Sequence, residues 1–190
     1  MKTNIPERIA ALREAMKQQK VDAYIIPSSD PHLSEYPADR WKSREWISGF
    51  TGSAGTIVVT ADKAGLWTDS RYFLQAASQL EGSGIELYKL ALPETPSITE
   101  FLLHELHTGQ AVGQTYSAAE ASALANKLSR KEIKLDTSAD LIEGIWKDRP
   151  AVPGNPIFEM PEALSGASVH EKLDLINNPV SYTHLRAHET

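Results

Sequence analysis

Apolar residues at the start of the chain recur every three or four positions. Ile5, Ile9, Leu12 and Met16 form one stripe with the spacing of a single face of an α-helix. Pro6 suits the first position of such a helix because its ring fixes φ near the helical value and its missing N–H needs no partner there. The pattern therefore predicts a helix that begins at Pro6 and buries this stripe.

Short β-branched and apolar runs follow, and helical patterns separate most of them. The runs 56–60 and 66–68 flank a turn at 61–63, so they predict a β-hairpin. The same criteria predict further strands at 22–27, 85–90, around Val112 and at 132–135, and further helices at 39–46, 70–80, 97–107, 117–129 and 139–146. Strands that alternate with helices indicate an α/β sandwich, and the hairpin makes its sheet mixed rather than purely parallel.

Prolines divide the chain after the last of these helices. The segment 148–157 contains three prolines, which stiffen it and exclude a helix, so we interpret it as a linker. Residues 1–147 then form the first domain. Residues 158–176 carry an amphipathic helical pattern that begins a second unit.

Composition narrows the functional classes. The 190 residues are 41% hydrophobic and 23% charged with a net charge of -6, which is typical of a globular protein and unlike a nucleic-acid binder with a basic face. No apolar run approaches the roughly 20 residues of a membrane-spanning helix. The chain has no cysteine, which excludes disulfides and thiolate metal sites and favours a cytoplasmic location.

Histidines provide two candidate sites. His104 and His107 are three residues apart in a predicted helix, so they could share a metal ion. No third ligand lies nearby, and a solvated helix face is the favoured interpretation. His32 lies in a loop between Pro27 and Pro37, where a structural role and a binding role are both open.

The segment Gly49–Gly55 contains three glycines. It matches neither the dinucleotide-binding nor the P-loop spacing, and it leads into a strand rather than a helix. Ser53 also lacks the sequence frame of a nucleophile elbow. We interpret the segment as a tight turn that needs small residues and positive φ.

The stretch 67–73 is the most informative one, because a predicted strand passes into a helix there. Asp69 or Ser70 can cap that helix, which gives Asp69 a structural role. Arg71 gains nothing from the helix dipole in the first turn. Its guanidinium can pair with Asp69, or it can point outward and bind a peptide carbonyl or carboxylate. No catalytic set emerges from the residues alone.

Four longer motifs resemble the amino-terminal part of cytosolic Xaa-Pro aminopeptidases, the aminopeptidase P family. They are YIIPSSDPHLSEY (24–36), SGFTGSAGT (48–56), LWTDSRYFLQA (66–76) and LIEGIWKDRP (141–150). They follow the order found in the family and cover the chain through the predicted linker. The resemblance implies a creatinase/prolidase N-terminal domain-like fold, a three-layer sandwich whose mixed β-sheet is flanked by helices.

The resemblance also implies a function for a longer parent protein. In the family, a catalytic domain binds two divalent metal ions, commonly manganese, which activate water to cleave the peptide bond before a proline in second position. Nothing in this chain matches that metal site, so it is expected to be inactive by itself. Its implied roles are dimerisation of the parent and closure of the substrate cleft, with Arg71 in contact with the peptide and Asp69 supporting it. The alternative is a stand-alone non-catalytic peptide-binding module, with Arg71 and His32 on its binding face.

The end of the chain is expected to contain two different segments. Residues 158–176 resemble the first turns of the family's second creatinase-like domain, cut short. Residues 177–190 depart from the family and resemble translated sequencing-adapter read-through. We expect this last segment to be non-native and disordered, so its histidines are not interpreted as ligands.

Overall fold

Helices and strands lie close to where the apolar patterns place them. The computed structural model describes residues 4–114 and 117–177. The strands are β1 (Ala23–Ile26), β2 (Thr56–Thr60), β3 (Ala64–Thr68), β4 (Glu86–Lys89), β5 (Ala111–Gln114) and β6 (Lys134–Asp136). The helices are α1 (Ile5–Gln19), α2 (Ser43–Ser48), α3 (Phe73–Gln79), α4 (Ile98–Glu105), α5 (Ala118–Leu128), α6 (Leu141–Ile145), α7 (Glu162–Ser165) and α8 (Val169–Asn177). Short 3₁₀ turns lie at Asp39–Trp41, Ser70–Tyr72 and Ser129–Lys131.

The strands form one mixed sheet in the order β4-β3-β2-β1-β5-β6. Strand β2 is antiparallel to both of its neighbours, β1 and β3. The remaining pairs, β3 with β4, β1 with β5 and β5 with β6, are parallel. The predicted hairpin and the predicted mixed sheet are therefore confirmed.

Helices cover both faces of the sheet. Because side chains alternate along a strand, Ile57 and Leu66 face a core with α1, α2, α3 and α6, whereas Val58 and Trp67 face a second core with α4 and α5. The two cores make three layers, as the fold class predicts.

Helix α1 buries the whole predicted apolar stripe against the first core. It ends at Lys20, which adopts a left-handed φ of 56° while its N–H donates to carbonyls of the last turn. Helix α1 has 15 residues. Across residues 4–114 and 117–177, no helix is both long and apolar enough to cross a membrane.

Two predicted helices begin differently from expectation. Asp39 does not cap a helix over 39–46, because its carboxylate pairs with the Lys42 ammonium and it begins a 3₁₀ turn instead. Helix α2 starts only at Ser43. The helix predicted at 70–80 likewise opens as a 3₁₀ turn before α3 begins.

The described residues divide into two compact units, one up to Val152 and one from Pro153 onward. The second unit contains α7 and α8, and the apolar side chains of α8 are exposed, including Leu173 at 48%. The domain boundaries inferred from the sequence stay a prediction. Of the predicted non-native tail, residues 178–190 lie outside the described residues.

Arginine and tryptophan side chains stack on one another near the end of the first unit. The stack, called here the Arg–Trp stack, comprises Arg8, Trp46, Trp146, Arg149, Trp41 and Arg40. Its central tryptophan rings lie 5.2 Å apart at 14°. Arg149 also donates to the Arg40 carbonyl at 3.0 Å, and Arg40 donates to the Pro150 carbonyl at 2.9 Å. The backbone up to Pro150 is thereby fixed to the first unit.

Removing a side chain from the α1 stripe is expected to destabilise the first unit. Leu12 is fully buried, so Leu12→Ala should lower the free energy of unfolding by about 2–5 kcal/mol through lost burial and a residual cavity. Leu74→Ala is the matched control because Leu74 is 89% exposed, and it should change stability by less than about 0.5 kcal/mol. Urea titration followed by circular dichroism measures both. Equal effects of the two substitutions would contradict the assigned core.

Candidate functional site

Three loops meet at one edge of the sheet. The parallel strands β1 and β3 end at this edge and the antiparallel β2 begins there, so the segments after β1, before β2 and after β3 are neighbours. The Ser28 hydroxyl donates to the Gly55 carbonyl at 2.6 Å and accepts from the Gly55 N–H at 2.9 Å. The Thr68 hydroxyl donates to the Ala54 carbonyl at 2.6 Å. Carboxyl ends of strands are frequent ligand sites in open α/β sheets, which makes this edge the candidate site.

The glycine loop, Gly49–Gly55, lies in the middle of this edge. Gly49 has a φ of 72°, which a side chain would disfavour. A Cβ on Gly52 would overlap the Phe50 ring and lie 2.7 Å from the Tyr72 ring. The expected need for small residues is confirmed at Gly52, whereas among these three glycines a positive φ occurs only at Gly49, the residue that ends α2.

Arg44 organises the glycine loop, and the sequence analysis missed it. The residue is only 6% exposed, and its guanidinium donates to the carbonyls of Phe50 and Gly52. Burial lowers its pKa to about 10, although the neighbouring charge of Glu45 opposes this shift. The described residues provide no carboxylate within ion-pairing distance of Arg44. The available signal was its spacing of three residues from the buried Ile47 on α2.

Asp69 and Arg71 form a bidentate ion pair at the end of β3. The Arg71 Nε and Nη2 groups donate to the two Asp69 carboxylate oxygens at 2.9 and 2.8 Å. Asp69 also accepts from the Arg71 backbone N–H at 3.0 Å, so it caps the 3₁₀ turn as the sequence predicts. The hydrogen bond and the opposite charge lower the pKa of Asp69 and raise that of Arg71.

The ion pair leaves part of the Arg71 guanidinium available. Its side chain is 67% exposed. Asp69 occupies the edge formed by Nε and Nη2, whereas Nη1 donates to no group among the described residues. A guanidinium can bind a second acceptor through its other edge. The pairing and binding alternatives for Arg71 are therefore compatible with each other.

His32 lies on the Pro-rich loop, residues 27–38, at the same edge. Its backbone N–H and that of Ser34 donate to the carboxylate of Asp30 at 2.9 and 3.0 Å. Leu33 adopts a left-handed φ of 56°, and its N–H donates to the Asp30 carbonyl at 3.1 Å. The side chain of His32 is exposed, so Asp30 shapes the loop and His32 is displayed on it.

His104 and His107 do not lie on one helix as the sequence predicts. Helix α4 ends at Glu105 because Leu106 is extended, so His107 lies beyond the helix and the expected helical spacing is lost. The His104 ring bonds to the Glu105 carboxylate at 2.8 Å. Within residues 4–114 and 117–177, no three histidine, cysteine, aspartate or glutamate side chains are grouped so that they could hold a metal ion.

Comparisons with known proteins find a matching domain family and several similar chains. The profile of the creatinase/prolidase N-terminal domain matches residues 8–145. A probable Xaa-Pro aminopeptidase P of Laccaria bicolor is 43% identical over 175 residues, which are 90% of this chain and 27% of that protein. Xaa-Pro aminopeptidase 2 of Mus musculus is 39% identical over 92% of this chain and 26% of its own length.

A solved structure is also similar to this chain. The X-prolyl aminopeptidase of Caenorhabditis elegans, described as a cytosolic enzyme with a di-nuclear active site, superposes with a TM-score of 0.80 at 28% identity. The match covers 96% of this chain and 32% of that chain. The chain thus spans about a third or less of the length of these relatives.

The Asp30 turn is expected to make stability depend on pH. Burial alone would raise the pKa of this carboxyl, but hydrogen bonds from Ser34 and His32 outweigh burial and lower it. A lowered pKa means that the carboxylate stabilises the fold above its unfolded pKa of about 3.9 and that this contribution is lost as pH falls through the folded pKa.

Asp30→Asn should therefore reduce the free energy of unfolding at pH 7 and weaken its decline between about pH 4 and pH 2. Urea titrations at several pH values measure this dependence. Asp148→Asn, which replaces an exposed aspartate, is the control substitution. Identical acid profiles for wild type and Asp30→Asn would contradict the role of this carboxylate.

Proposed function

Because the chain belongs to the creatinase/prolidase N-terminal domain family, we propose that it is the non-catalytic amino-terminal domain of a longer metallo-aminopeptidase that removes the residue preceding a proline. The observation that carries this proposal is the unequal coverage of its relatives. Xaa-Pro aminopeptidases match about 90% of this chain, whereas the chain spans less than a third of their length. The remaining length leaves room for catalytic machinery elsewhere.

The metal ions of the parent belong in that remaining part. Two divalent ions need a cluster of carboxylate and imidazole ligands. The residues described here bring no three such side chains together, so they do not fit these ions. The role that we propose for this chain is to bind and orient the peptide rather than to activate water.

Arg71 is the proposed contact for the peptide. Asp69 fixes its guanidinium in one orientation, which reduces the side-chain entropy lost on binding. The edge that Asp69 leaves open can donate to a carbonyl or carboxylate of a peptide that carries proline in second position. His32 lies on a loop at the same edge of the sheet and is proposed as a secondary contact.

Closure of the substrate cleft is assigned to the same edge. Leu33 is 57% exposed and Leu74 is 89% exposed, one on the loop after β1 and the other at the start of α3 after β3. Apolar side chains at such positions are suited to contact another part of the parent when the cleft closes. We propose a cytoplasmic location for the parent. We also propose that residues 158–176 begin its second creatinase-like domain.

A stand-alone peptide-binding module is the second candidate function. The open edge of Arg71 favours it, since peptide binding by this chain would not need a catalytic domain. The source DNA distinguishes the two candidates. A reading frame that continues into metal ligands supports the domain, and a stop codon soon after residue 176 supports the module.

The purified chain is expected to bind a peptide without cleaving it. With manganese and an Arg-Pro-Pro peptide, we expect no hydrolysis, together with weak binding that Arg71→Ala reduces by about fivefold or more through loss of charged hydrogen bonds. Calorimetry measures the binding. Arg130→Ala is the matched control because Arg130 is exposed and precedes β6 at the opposite edge of the sheet. Metal-dependent release of the first residue would overturn the non-catalytic assignment.

The longer parent is expected to be a homodimer. Multi-angle light scattering on the parent should give twice its monomer mass. The chain of 190 residues serves as the comparison, and a monomeric chain would place the main dimer contacts elsewhere in the parent. A monomeric parent at micromolar concentration would contradict the dimer.

A further inference from the structure

A cleft of about 300 Å³ opens beside the glycine loop. The Pro-rich loop forms one wall with Glu35 and Tyr36, and the start of α2 forms the other with Lys42 and Glu45. Ser53 of the glycine loop lines the same cleft. Segments from the candidate edge thus enclose a space that the contacts of Arg71 and His32 do not account for.

The floor of the cleft is fixed before any ligand arrives. Arg44, which also lines the cleft, holds the carbonyls of Phe50 and Gly52 from below. Gly52 has no room for a side chain, since the rings of Phe50 and Tyr72 already occupy that space. A rigid floor reduces the ordering that binding would otherwise require.

Contacts through Tyr72 link Ser53, which lines the cleft, to Arg71. The hydroxyl groups of Ser53 and Tyr72 lie 2.6 Å apart. The Arg71 guanidinium lies 5.3 Å from the Tyr72 ring, so Tyr72 connects the cleft to the proposed peptide contact. A ligand bound by Arg71 could extend over Ser53 into the cleft.

The walls offer the chemistry of peptide recognition. Tyr36 is 86% exposed, so its ring is available to stack on a ligand side chain. Glu35 and Glu45 are acidic, and Lys42 is basic and held by Asp39. A cleft that combines an aromatic ring, both signs of charge and hydroxyl groups suits a chain of amides with varied side chains better than it suits a small anion.

We propose that this cleft binds the downstream part of a peptide whose upstream residues are bound near Arg71. The inference rests on the proposed function, because it takes the ligand of Arg71 to be a peptide. The residue to be removed must reach the metal ions in the rest of the parent, so we assign to this chain the peptide residues that come after it. Longer peptides then gain a contact that tripeptides cannot make.

The test compares two peptides on the full chain of 190 residues. Calorimetry should show that a nine-residue peptide beginning Arg-Pro-Pro binds at least about fivefold more tightly than Arg-Pro-Pro, the effect of one added aromatic contact. Tyr36→Ala should abolish this gain and leave tripeptide affinity unchanged, whereas Tyr36→Phe should retain most of it. Thermal melting of these exposed-site variants should match wild type.

Other variants separate the failure of this inference from failure of the proposed function. Arg71→Ala should weaken both peptides, and Arg130→Ala should weaken neither. Arg71-dependent binding with no gain for the longer peptide, or a gain that survives Tyr36→Ala, would overturn the cleft alone. If neither peptide binds, the cleft and the Arg71 contact are both wrong.

Discussion

The candidate site depends on one buried cation. Arg44 comes from α2, a helix of six residues, and its guanidinium satisfies two carbonyls of the glycine loop that would otherwise be buried without partners. Burial of a cation that forms no ion pair within the described residues is costly, and burial accordingly lowers the pKa of Arg44. The loop must therefore hold its carbonyls in position. Its hydrogen bonds with Ser28, Thr68 and Tyr72 depend on that position of the backbone.

Topology explains why these contacts converge. In a purely parallel sheet, every strand would begin at the edge opposite to the candidate site, and only the ends of strands would lie at the site. Because β2 alone runs antiparallel, the glycine loop enters the sheet between the exits of β1 and β3. The loop can therefore bond to the segments on both sides, and residues from three distant parts of the sequence, such as Ser28, Gly52 and Arg71, share one surface.

The sequence was sufficient to predict the fold but not to predict that Arg44 holds the glycine loop. The stripe on α1 and the hairpin at β2 and β3 have clear apolar periodicity, and Asp69 is a typical capping residue, so these features could be predicted. Arg44 was missed, because its spacing from Ile47 is a weak signal in a short helix and its partners are backbone carbonyls without a side-chain signature. The early end of α4 was missed because Leu106 is extended for tertiary reasons, with its side chain buried in the second core.

The Arg–Trp stack has a spectroscopic consequence. Of the four tryptophans in the chain, Trp41, Trp46 and Trp146 belong to the stack, whereas Trp67 is buried in the core beneath α4. Three of the four intrinsic fluorophores of this kind thus lie in the stack that holds the backbone up to Pro150. A change in the packing of the stack would therefore alter the intrinsic fluorescence of the first unit, and no added dye is needed to detect it.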